Sequence, residues 1–506
     1  MSRRRGAPYR IVATSVAALL VLLGPAAWPA YADGSNPVGD PPSSPNVWEP
    51  APANSAPPPN VGPAGAPDAT YQMGNNSACV TSGVTQPLLA VPPAQTMLGI
   101  ADAQKISTGA GVTVAVIDTG VNKHPMFGNR LENGGDYIQP GGNAEQDCDG
   151  HGTIVAGIIA ADTRGTPYGF IGVAPDAKIL AIRQTDANFV NAANQNSNQQ
   201  QTAGDLKTLG EAIMYAASRP DVKVITMSVD NCNPLAFAAT SENSADGRAL
   251  QAAIDYAVNV ADKVVIAAAG NIPNGTTADQ GSQGQTGGGS SQSSGPCASV
   301  PQNSDPDPNA VKQVEIPPAY ANNVISVASV DPQTGNTSSF SEWGPWVTVA
   351  APGEHIISVD PAKGATMLTN ETVQANKQVF LQGTSFAAPY VAGLAALIRA
   401  KYPQLSARQV MYRIEATAQH PSGAEGRNNQ VGYGLIDPVA ALTALLPGQN
   451  GVPLATTTAI KAQIPNSGAD DALPMQVALI GVGGTVLALL IIYFVVRTRR
   501  RERRSS

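Results

Sequence analysis

The sequence predicts an α/β fold in which a mainly parallel sheet is flanked by helices. Apolar runs rich in β-branched residues lie at 112–117, 178–182, 222–229, 263–269 and 324–330. Stretches with helical patterning lie at 153–161, 205–217, 245–260 and 386–401. This alternation is typical of parallel strands connected by helices that cover the faces of the sheet. At 506 residues, the chain is long enough for one large α/β domain with appendages.

Residues 1–32 have the pattern of a signal peptide. An arginine-rich start is followed by an apolar stretch at 11–23 and by a small-x-small cleavage site, Ala30-Tyr31-Ala32. A basic flank with an apolar core is also compatible with an uncleaved anchor, although the cleavage site argues against that alternative. We therefore expect the rest of the chain to be exported.

The composition divides the remainder of the chain. A Pro-rich N-terminal extension at 33–97 predicts an extended arm or a spacer, because it lacks the apolar residues of a packed core. The α/β pattern occupies 98–446, and a linker rich in Pro, Gly, Asn and Thr follows at 447–476. Two low-complexity insertions, at 188–201 and 272–308, follow predicted strands and are predicted to be loops.

A second apolar stretch, at 477–496, contains no charged residue and is long enough to cross a bilayer as a helix. The tail that follows, 497–506, contains six arginines, which predicts that the C-terminus stays in the cytoplasm. A buried core helix and a nucleic-acid patch are the alternative interpretations of these two segments. The layout predicts a single-pass membrane protein whose main domain is extracytoplasmic.

Charge and histidine content restrict the partners and cofactors. The whole chain carries −7, and because both ends are basic the part between them is more acidic still, which disfavours nucleic-acid binding. None of the four histidines has metal-ligand spacing with a cysteine, so we expect no metal and no cofactor. Asp147 and Asp149 are either calcium ligands or solvated loop residues.

Three short motifs each place one polar side chain among small residues. Asp118 follows a predicted strand in Val-Ile-Asp-Thr-Gly, His151 precedes a predicted helix in His-Gly-Thr, and Ser385 does so in Gly-Thr-Ser. The order Asp, His, Ser is one of those that build a hydrolytic triad, with the serine hydroxyl at the positive end of a helix. Asn271 follows Ala-Ala-Ala-Gly after another strand, where its amide is placed to donate to an oxyanion.

Each motif alone has another interpretation. Asp-Thr-Gly is also an aspartic-protease signature or a simple turn, His-Gly-Thr is compatible with a capped helix start, and Gly-Thr-Ser is common in turns. The conjunction of all the motifs in this order, on strand ends and helix starts, favours the catalytic interpretation. An esterase is disfavoured because no G-x-S-x-G elbow surrounds Ser385.

These motifs resemble those of the subtilisin family of serine proteases, and the resemblance covers residues 98–446. It implies a subtilisin-like parallel central sheet flanked by helices, with the segment Gly-Tyr-Gly-Leu-Ile-Asp at 432–437 as the closing strand. It also implies a serine endopeptidase with polypeptide substrates. In that role Ser385 is the nucleophile, His151 the general base, Asp118 the residue that orients it, and Asn271 the oxyanion donor.

The resemblance also predicts a substrate-binding edge at Ser228, Val229 and Gly270. Many subtilases have Ser-Leu-Gly on the strand that pairs with the substrate, whereas this chain has Ser-Val-Asp with Asp230 in the glycine position. A charged side chain there puts the usual docking of an extended peptide in doubt.

The overall layout is similar to that of the mycosins, the membrane-anchored proteases of mycobacterial type VII secretion. This likeness implies that membrane proteins of a secretion system are partners. A structural role in such an assembly, independent of proteolysis, is the alternative function.

An even number of cysteines in an exported chain predicts disulfides. The parallel strands at 222–229 and 263–269 bring Cys232 beside the loop that contains Cys297, which leaves Cys79 to pair with Cys148. Four cysteines allow three pairings, of which we favour this one because of the topology. The second bridge would join the N-terminal extension to the loop before His151.

Overall fold

The structure, a computed structural model, describes residues 56–75, 77–83, 87–194, 202–228, 231–234, 244–272, 303, 311–374, 377–422, 426–449, 489–493 and 497. The predicted signal peptide, most of the second insertion and most of the predicted linker lie outside these residues. The chain divides into two units, Met1–Val452 and Pro453–Ser506.

The strands and helices of the first unit are numbered in chain order. Strands β1–β17 are Tyr71–Met73, Thr81–Ser82, Thr113–Asp118, Leu131–Asp136, Lys178–Arg183, Asp186–Asn191, Thr202–Ala203, Val222–Met227, Asn231–Pro234, Val264–Ala268, Gln313–Ile316, Ile325–Val330, Val347–Pro352, Ser358–Val359, Leu368–Thr369, Glu371–Gln374 and Lys377–Phe380. Helices α1–α8 are Pro93–Met97, Ile100–Gln104, His151–Ala160, Leu206–Ser218, Ala245–Asn259, Thr384–Lys401, Ala407–Ala416 and Pro438–Thr443. Short 3₁₀ turns lie at Pro125–Phe127 and Ala192–Asn194.

A seven-stranded sheet in the order β13-β12-β10-β8-β3-β5-β4 forms the centre of the first unit. All of its neighbouring strands are parallel, which confirms the predicted α/β fold. Every residue of β3, β10, β12 and β13 is buried, as expected for a sheet covered on both faces. The carboxyl ends of these strands therefore form the open edge at which a site is expected.

Five sheet strands match the five apolar runs, whereas β4 and β13 were not predicted. β4 has the sequence Leu-Glu-Asn-Gly-Gly-Asp, which contains one large apolar residue, and it pairs only with β5 at one edge of the sheet. β13 is Val-Thr-Val-Ala-Ala-Pro and forms the other edge. β4 therefore carries a weak periodicity signal, whereas β13 is apolar and fully buried but its short run ends in a proline.

Side-chain caps explain where several helices begin. Asp205 forms a capping box with Thr208 at the start of α4, and Ser406 forms one with Gln409 at the start of α7. The Ser244 hydroxyl accepts from the Gly247 N–H at the start of α5. By contrast, the residues before α3 and α6 are Gly150 and Gly383, which have no side chain to cap the helix. Side chains from other segments accept from the first N–H groups instead: Thr119 from Gly152, Asp147 from Thr153 and Asn271 from Thr384.

The N-terminal extension pairs with the domain in two places. β1 is antiparallel to β6, and β2 is antiparallel to β16. The prediction that 188–201 is entirely a loop is wrong at its start, because residues 188–191 belong to β6. Phe189 and Val190 are buried there, and β6 pairs with β1 on one side and with β7 on the other. A strand paired with such a distant segment has no local signal in an Asn-rich sequence.

The segment 432–437 is not a regular closing strand. It forms isolated bridges only, in which Leu435 pairs with Ala350 in parallel and with Gln419 in antiparallel orientation. Gly432 and Gly434 have positive φ angles of 57° and 102°, and these left-handed residues prevent a continuous strand.

In the second unit, residues 489–493 are helical and exposed. Within the described part of the chain, no helix combines the length and apolarity needed to cross a membrane. The predicted span at 477–496 lies mostly outside the described residues.

Candidate active site

Asp118 is the last residue of β3, so its carboxylate projects at the carboxyl edge of the sheet. The carboxylate is buried, and its Oδ1 accepts a hydrogen bond of 2.8 Å from the Thr119 N–H. The same oxygen lies 2.7 Å from Nδ1 of His151. This contact joins the first two predicted site residues, which are 33 positions apart in the sequence.

His151 is the first residue of α3, and its imidazole is completely buried. Gly152 allows α3 to approach the turn after Asp118 closely, because a Cβ at that position would lie 2.1 Å from the Gly120 carbonyl oxygen. The Phe386 ring packs on the imidazole with centroids 5.0 Å apart, which brings the start of α6 beside it. Nε2 has no hydrogen-bond partner among the described residues and is therefore available as an acceptor.

The pKa of His151 reflects two opposing effects. Burial lowers the pKa because it penalises the charged imidazolium. The charge of Asp118 and its hydrogen bond act in the opposite direction, and the more distant Asp149 and Asp147 add to them. The net result is a pKa above the ordinary value of histidine. The raised pKa makes the neutral imidazole a better proton acceptor, as a general base requires.

Ser385 is the second residue of α6, at the positive end of the helix dipole. Pro389 lies four residues further on and has no N–H to donate to the Ser385 carbonyl. The Ser228 hydroxyl donates to that carbonyl instead, at 3.3 Å. Ser228 is buried and directly follows β8. Its hydrogen bond therefore connects the start of α6 to the edge of the sheet.

Asn271 follows β10 and is oriented by the residue before Ser385. Its Oδ1 accepts from the Thr384 N–H at 2.9 Å and lies 3.1 Å from the Thr384 hydroxyl. With Oδ1 held in this way, Nδ2 donates to no other described residue. Gly270, with φ of +109°, places its carbonyl 3.2 Å from the same hydroxyl. An amide N–H₂ group and a helix N-terminus thus lie next to one serine, an arrangement that can stabilise an oxyanion.

The structure places the other predicted residues as follows. Of the predicted substrate-binding residues, Ser228 contacts the Ser385 carbonyl and Gly270 contacts the Thr384 hydroxyl, whereas Val229 lies outside the described residues. Cys79 is bonded to Cys148. Cys232 is also disulfide-bonded, and Cys297, its predicted partner, lies outside the described residues.

Asp147 and Asp149 are not solvated loop residues, because both are buried. Burial is the main cause that raises the pKa of Asp147 to about 6 and that of Asp149 to about 8. No group of residues suited to holding a metal ion occurs in the described ranges. Thr119, Thr153 and Thr384 hold the site together through hydrogen bonds but were not predicted as site residues, although each belongs to one of the three motifs.

Comparison with known proteins agrees with this geometry. Residues 109–434 match the subtilase family. Mycosin-1 of Mycobacterium tuberculosis is 42% identical over 405 residues, which cover 78% of this chain and 82% of that protein. The solved structure of MycP1, described as a serine protease and an essential component of the type VII (ESX-1) secretion system, is 39% identical. It superposes with a TM-score of 0.65 and covers 79% of this chain and 100% of its own.

A chain in the structure of an intact ESX-5 inner membrane complex is 32% identical, with a TM-score of 0.65. The match covers 89% of this chain and 100% of that one. The protein is a serine endopeptidase by its family and by its relatives. The chain belongs to the subtilase family, and within that family it resembles the mycosins.

Proposed function

We propose that this endopeptidase cleaves polypeptides with Ser385 as nucleophile, His151 as general base and Asp118 as the residue that orients the imidazole. The hydrogen bond of 2.7 Å between Asp118 Oδ1 and His151 Nδ1 carries the proposal. It fixes the tautomer with the proton on Nδ1 and leaves Nε2 as the acceptor for the serine proton. Ser385 loses that proton as its oxygen attacks the scissile carbonyl, and His151 then donates it to the leaving amine.

In this proposal Asn271 donates from Nδ2 to the oxyanion that develops on the carbonyl oxygen. The orientation of its amide supports this role, because the N–H and the hydroxyl of Thr384 both contact Oδ1 of Asn271. Ser228, Val229 and Gly270 would line the adjacent substrate-binding edge. The position of Ser228 under the start of α6 and that of Gly270 beside Asn271 support this assignment.

Replacing Asn271 by alanine is expected to lower kcat by about 10²–10³-fold with little change in KM, the range typical of a lost oxyanion donor. Asn271→Asp is the matched variant, since it keeps an oxygen for Thr384 but removes the donor. Steady-state kinetics on a peptide should show the loss in both variants. If Asn271→Asp kept wild-type kcat, the amide would not be the oxyanion donor.

We also infer that the chain is exported and held in the cell membrane by one C-terminal span. The signal-peptide pattern at 1–32 and the uncharged stretch at 477–496 support this inference, and the arginines of 497–506 favour a cytoplasmic C-terminus. The catalytic unit would then face the extracytoplasmic side. The Cys79–Cys148 disulfide agrees with an oxidising compartment.

The chain is further proposed to act with membrane proteins of a type VII secretion system. Support comes from similarity to MycP1 of the ESX-1 system and to a chain of the ESX-5 inner membrane complex. A scaffold role independent of proteolysis is the second candidate, because the latter relative is described as part of an assembly.

Export assays separate the two roles. We expect deletion of the gene to stop export through the system, and Ser385→Ala to leave export largely intact, because this change removes one oxygen and preserves the docking surfaces. A chain that ends at residue 476 should keep peptidase activity yet fail to support export, since it loses confinement to the membrane plane.

Quantifying secreted protein in these strains, with the wild type as reference, checks the expectation. Export lost equally in the Ser385→Ala and deletion strains would eliminate the scaffold role. Full export with the truncated chain would mean that the predicted span is not needed.

A further inference from the structure

Asp147 is a buried carboxylate with an unusual number of hydrogen bonds. Its Oδ1 accepts from the Thr119 hydroxyl at 2.8 Å and from the Gly150 N–H at 2.7 Å. Its Oδ2 accepts from the Thr153 N–H at 2.9 Å and from the Thr153 hydroxyl at 2.6 Å. All of these donors belong to the two segments that carry Asp118 and His151.

The contacts form a bridge between those segments. Thr119 directly follows Asp118, and its hydroxyl oxygen also accepts from the Gly152 N–H at 2.9 Å. Thr153 lies in the first turn of α3, two residues after His151. Oδ1 of Asp147 therefore bonds to Thr119 in the turn after β3 and to Gly150 just before α3. Oδ2 bonds to Thr153 in the first turn of α3.

The backbone of Asp147 is held as well. Asn122 Oδ1 accepts from the Asp147 N–H at 3.0 Å, and Asn122 Nδ2 donates to the Asp147 carbonyl at 2.7 Å. The next residue, Cys148, is joined to Cys79 of the N-terminal extension. The carboxylate is thus a fixed point between the two catalytic segments.

We propose that Asp147 is a positioning residue of the catalytic reaction, whose carboxylate holds the Asp118 turn and the first turn of the His151 helix at the separation that their hydrogen bond requires. The inference rests on the proposed function. Asp147 does not contact the reacting atoms, and it acts through Thr119, Gly150 and Thr153.

The ionised carboxylate suits this role. The two anionic oxygens accept hydrogen bonds from four donors. In an asparagine, an N–H₂ group would replace one of these oxygens, and it cannot accept a hydrogen bond. Burial raises the pKa of Asp147 to about 6, while its hydrogen bonds act to lower it. The carboxylate is therefore mostly ionised at neutral pH. Asp147 interacts electrostatically with Asp149 and with His151.

Asp149 offers a matched control two residues away on the same loop. It is equally buried, but neither of its carboxylate oxygens has a hydrogen-bond partner among the described residues. Asp147→Asn and Asp149→Asn each remove one buried acid that raises the pKa of His151. Only the first removes the bridge between the catalytic segments.

The experiment measures kcat and KM of both variants on a peptide over a range of pH, with circular dichroism as the check of folding. We expect Asp147→Asn to lower the high-pH plateau of kcat by about 10²-fold with KM little changed, because a small misplacement of catalytic groups has an effect of this size. Asp149→Asn should keep the high-pH plateau of kcat. At most, it should move the acid limb of the profile of kcat against pH to lower pH.

A second pair of variants tests the bridge without changing a charge. Thr119→Val removes the hydroxyl that donates to Asp147 and accepts from the Gly152 N–H, whereas Thr119→Ser keeps it. We expect a lower kcat plateau for Thr119→Val and recovery for Thr119→Ser. If Asp147→Asn does not fold, an unchanged plateau in Thr119→Val still overturns the bridge.

If the wild type hydrolyses a peptide and Ser385→Ala does not, the proposed function is established independently of these variants. In that active enzyme, a plateau in Asp147→Asn equal to that in Asp149→Asn would overturn the positioning role. A plateau in Thr119→Val equal to that in Thr119→Ser would do so as well.

Discussion

Ser385→Ala is expected to abolish peptide hydrolysis, with a loss in kcat of about 10⁶-fold, the size known for the nucleophile in subtilisin, a relative of this chain. The reason is that no other hydroxyl is proposed to attack the substrate carbonyl, and His151 then has no nucleophile to deprotonate. The measurement is turnover of a peptide substrate by the purified protein. The residual rate should come only from substrate binding and the oxyanion donors.

Ser326 provides the control for this change. Its hydroxyl is buried in β12 and has no hydrogen-bond partner among the described residues. Ser326→Ala therefore removes one buried oxygen from the same domain without touching the proposed site, and its turnover should match the wild type. Turnover in Ser385→Ala comparable with that in Ser326→Ala would remove Ser385 from its role.

Asp118→Asn is expected to lower kcat by about 10⁴-fold, as in other triad enzymes, because an asparagine can stabilise the wrong imidazole tautomer. The acid limb of the pH profile should also move. Burial lowers the pKa of His151, and Asp118 is the largest of the effects that raise it, so the loss of Asp118 should lower that pKa. Since the base acts in its neutral form, the limb should shift to lower pH.

The measurement is kcat/KM against pH for the wild type and for Asp118→Asn. A large loss of rate together with the downward shift of the acid limb is the expected pattern. If the limb stayed in place, the Asp118 carboxylate would not govern the ionisation of His151. A loss of rate alone would then indicate only a disturbed structure.

The fold and the placement of the proposed triad residues could be predicted because their signals are local. Asp118 ends an apolar run, and His151 and Ser385 begin helices, so each residue could be placed at the sheet edge from its own neighbours. The site is therefore visible in the sequence as four motifs in order. The contact of 2.7 Å between Asp118 and His151 follows from this common edge.

The features that the sequence does not reveal depend on distant partners. β6 pairs with β1, more than one hundred positions away, and with β7, and an Asn-rich sequence does not indicate the pairing with β1. The segment 432–437 resembles the closing strand of the subtilisin family, whereas the left-handed φ angles of its glycines interrupt the strand pairing. From the sequence alone, Asp147 is interpreted as a calcium ligand or as a solvated loop residue. Its hydrogen bonds could not be predicted, because the four donors come together only in the folded chain.

The most direct test of the proposed mechanism is to label the wild-type protein with a fluorophosphonate probe and to map the modified residue by mass spectrometry. We expect one adduct, on the peptide that contains Ser385, and no adduct in Ser385→Ala. Ser326→Ala should be labelled like the wild type. An adduct on a different serine, or labelling that persists in Ser385→Ala, would contradict the assignment of the nucleophile.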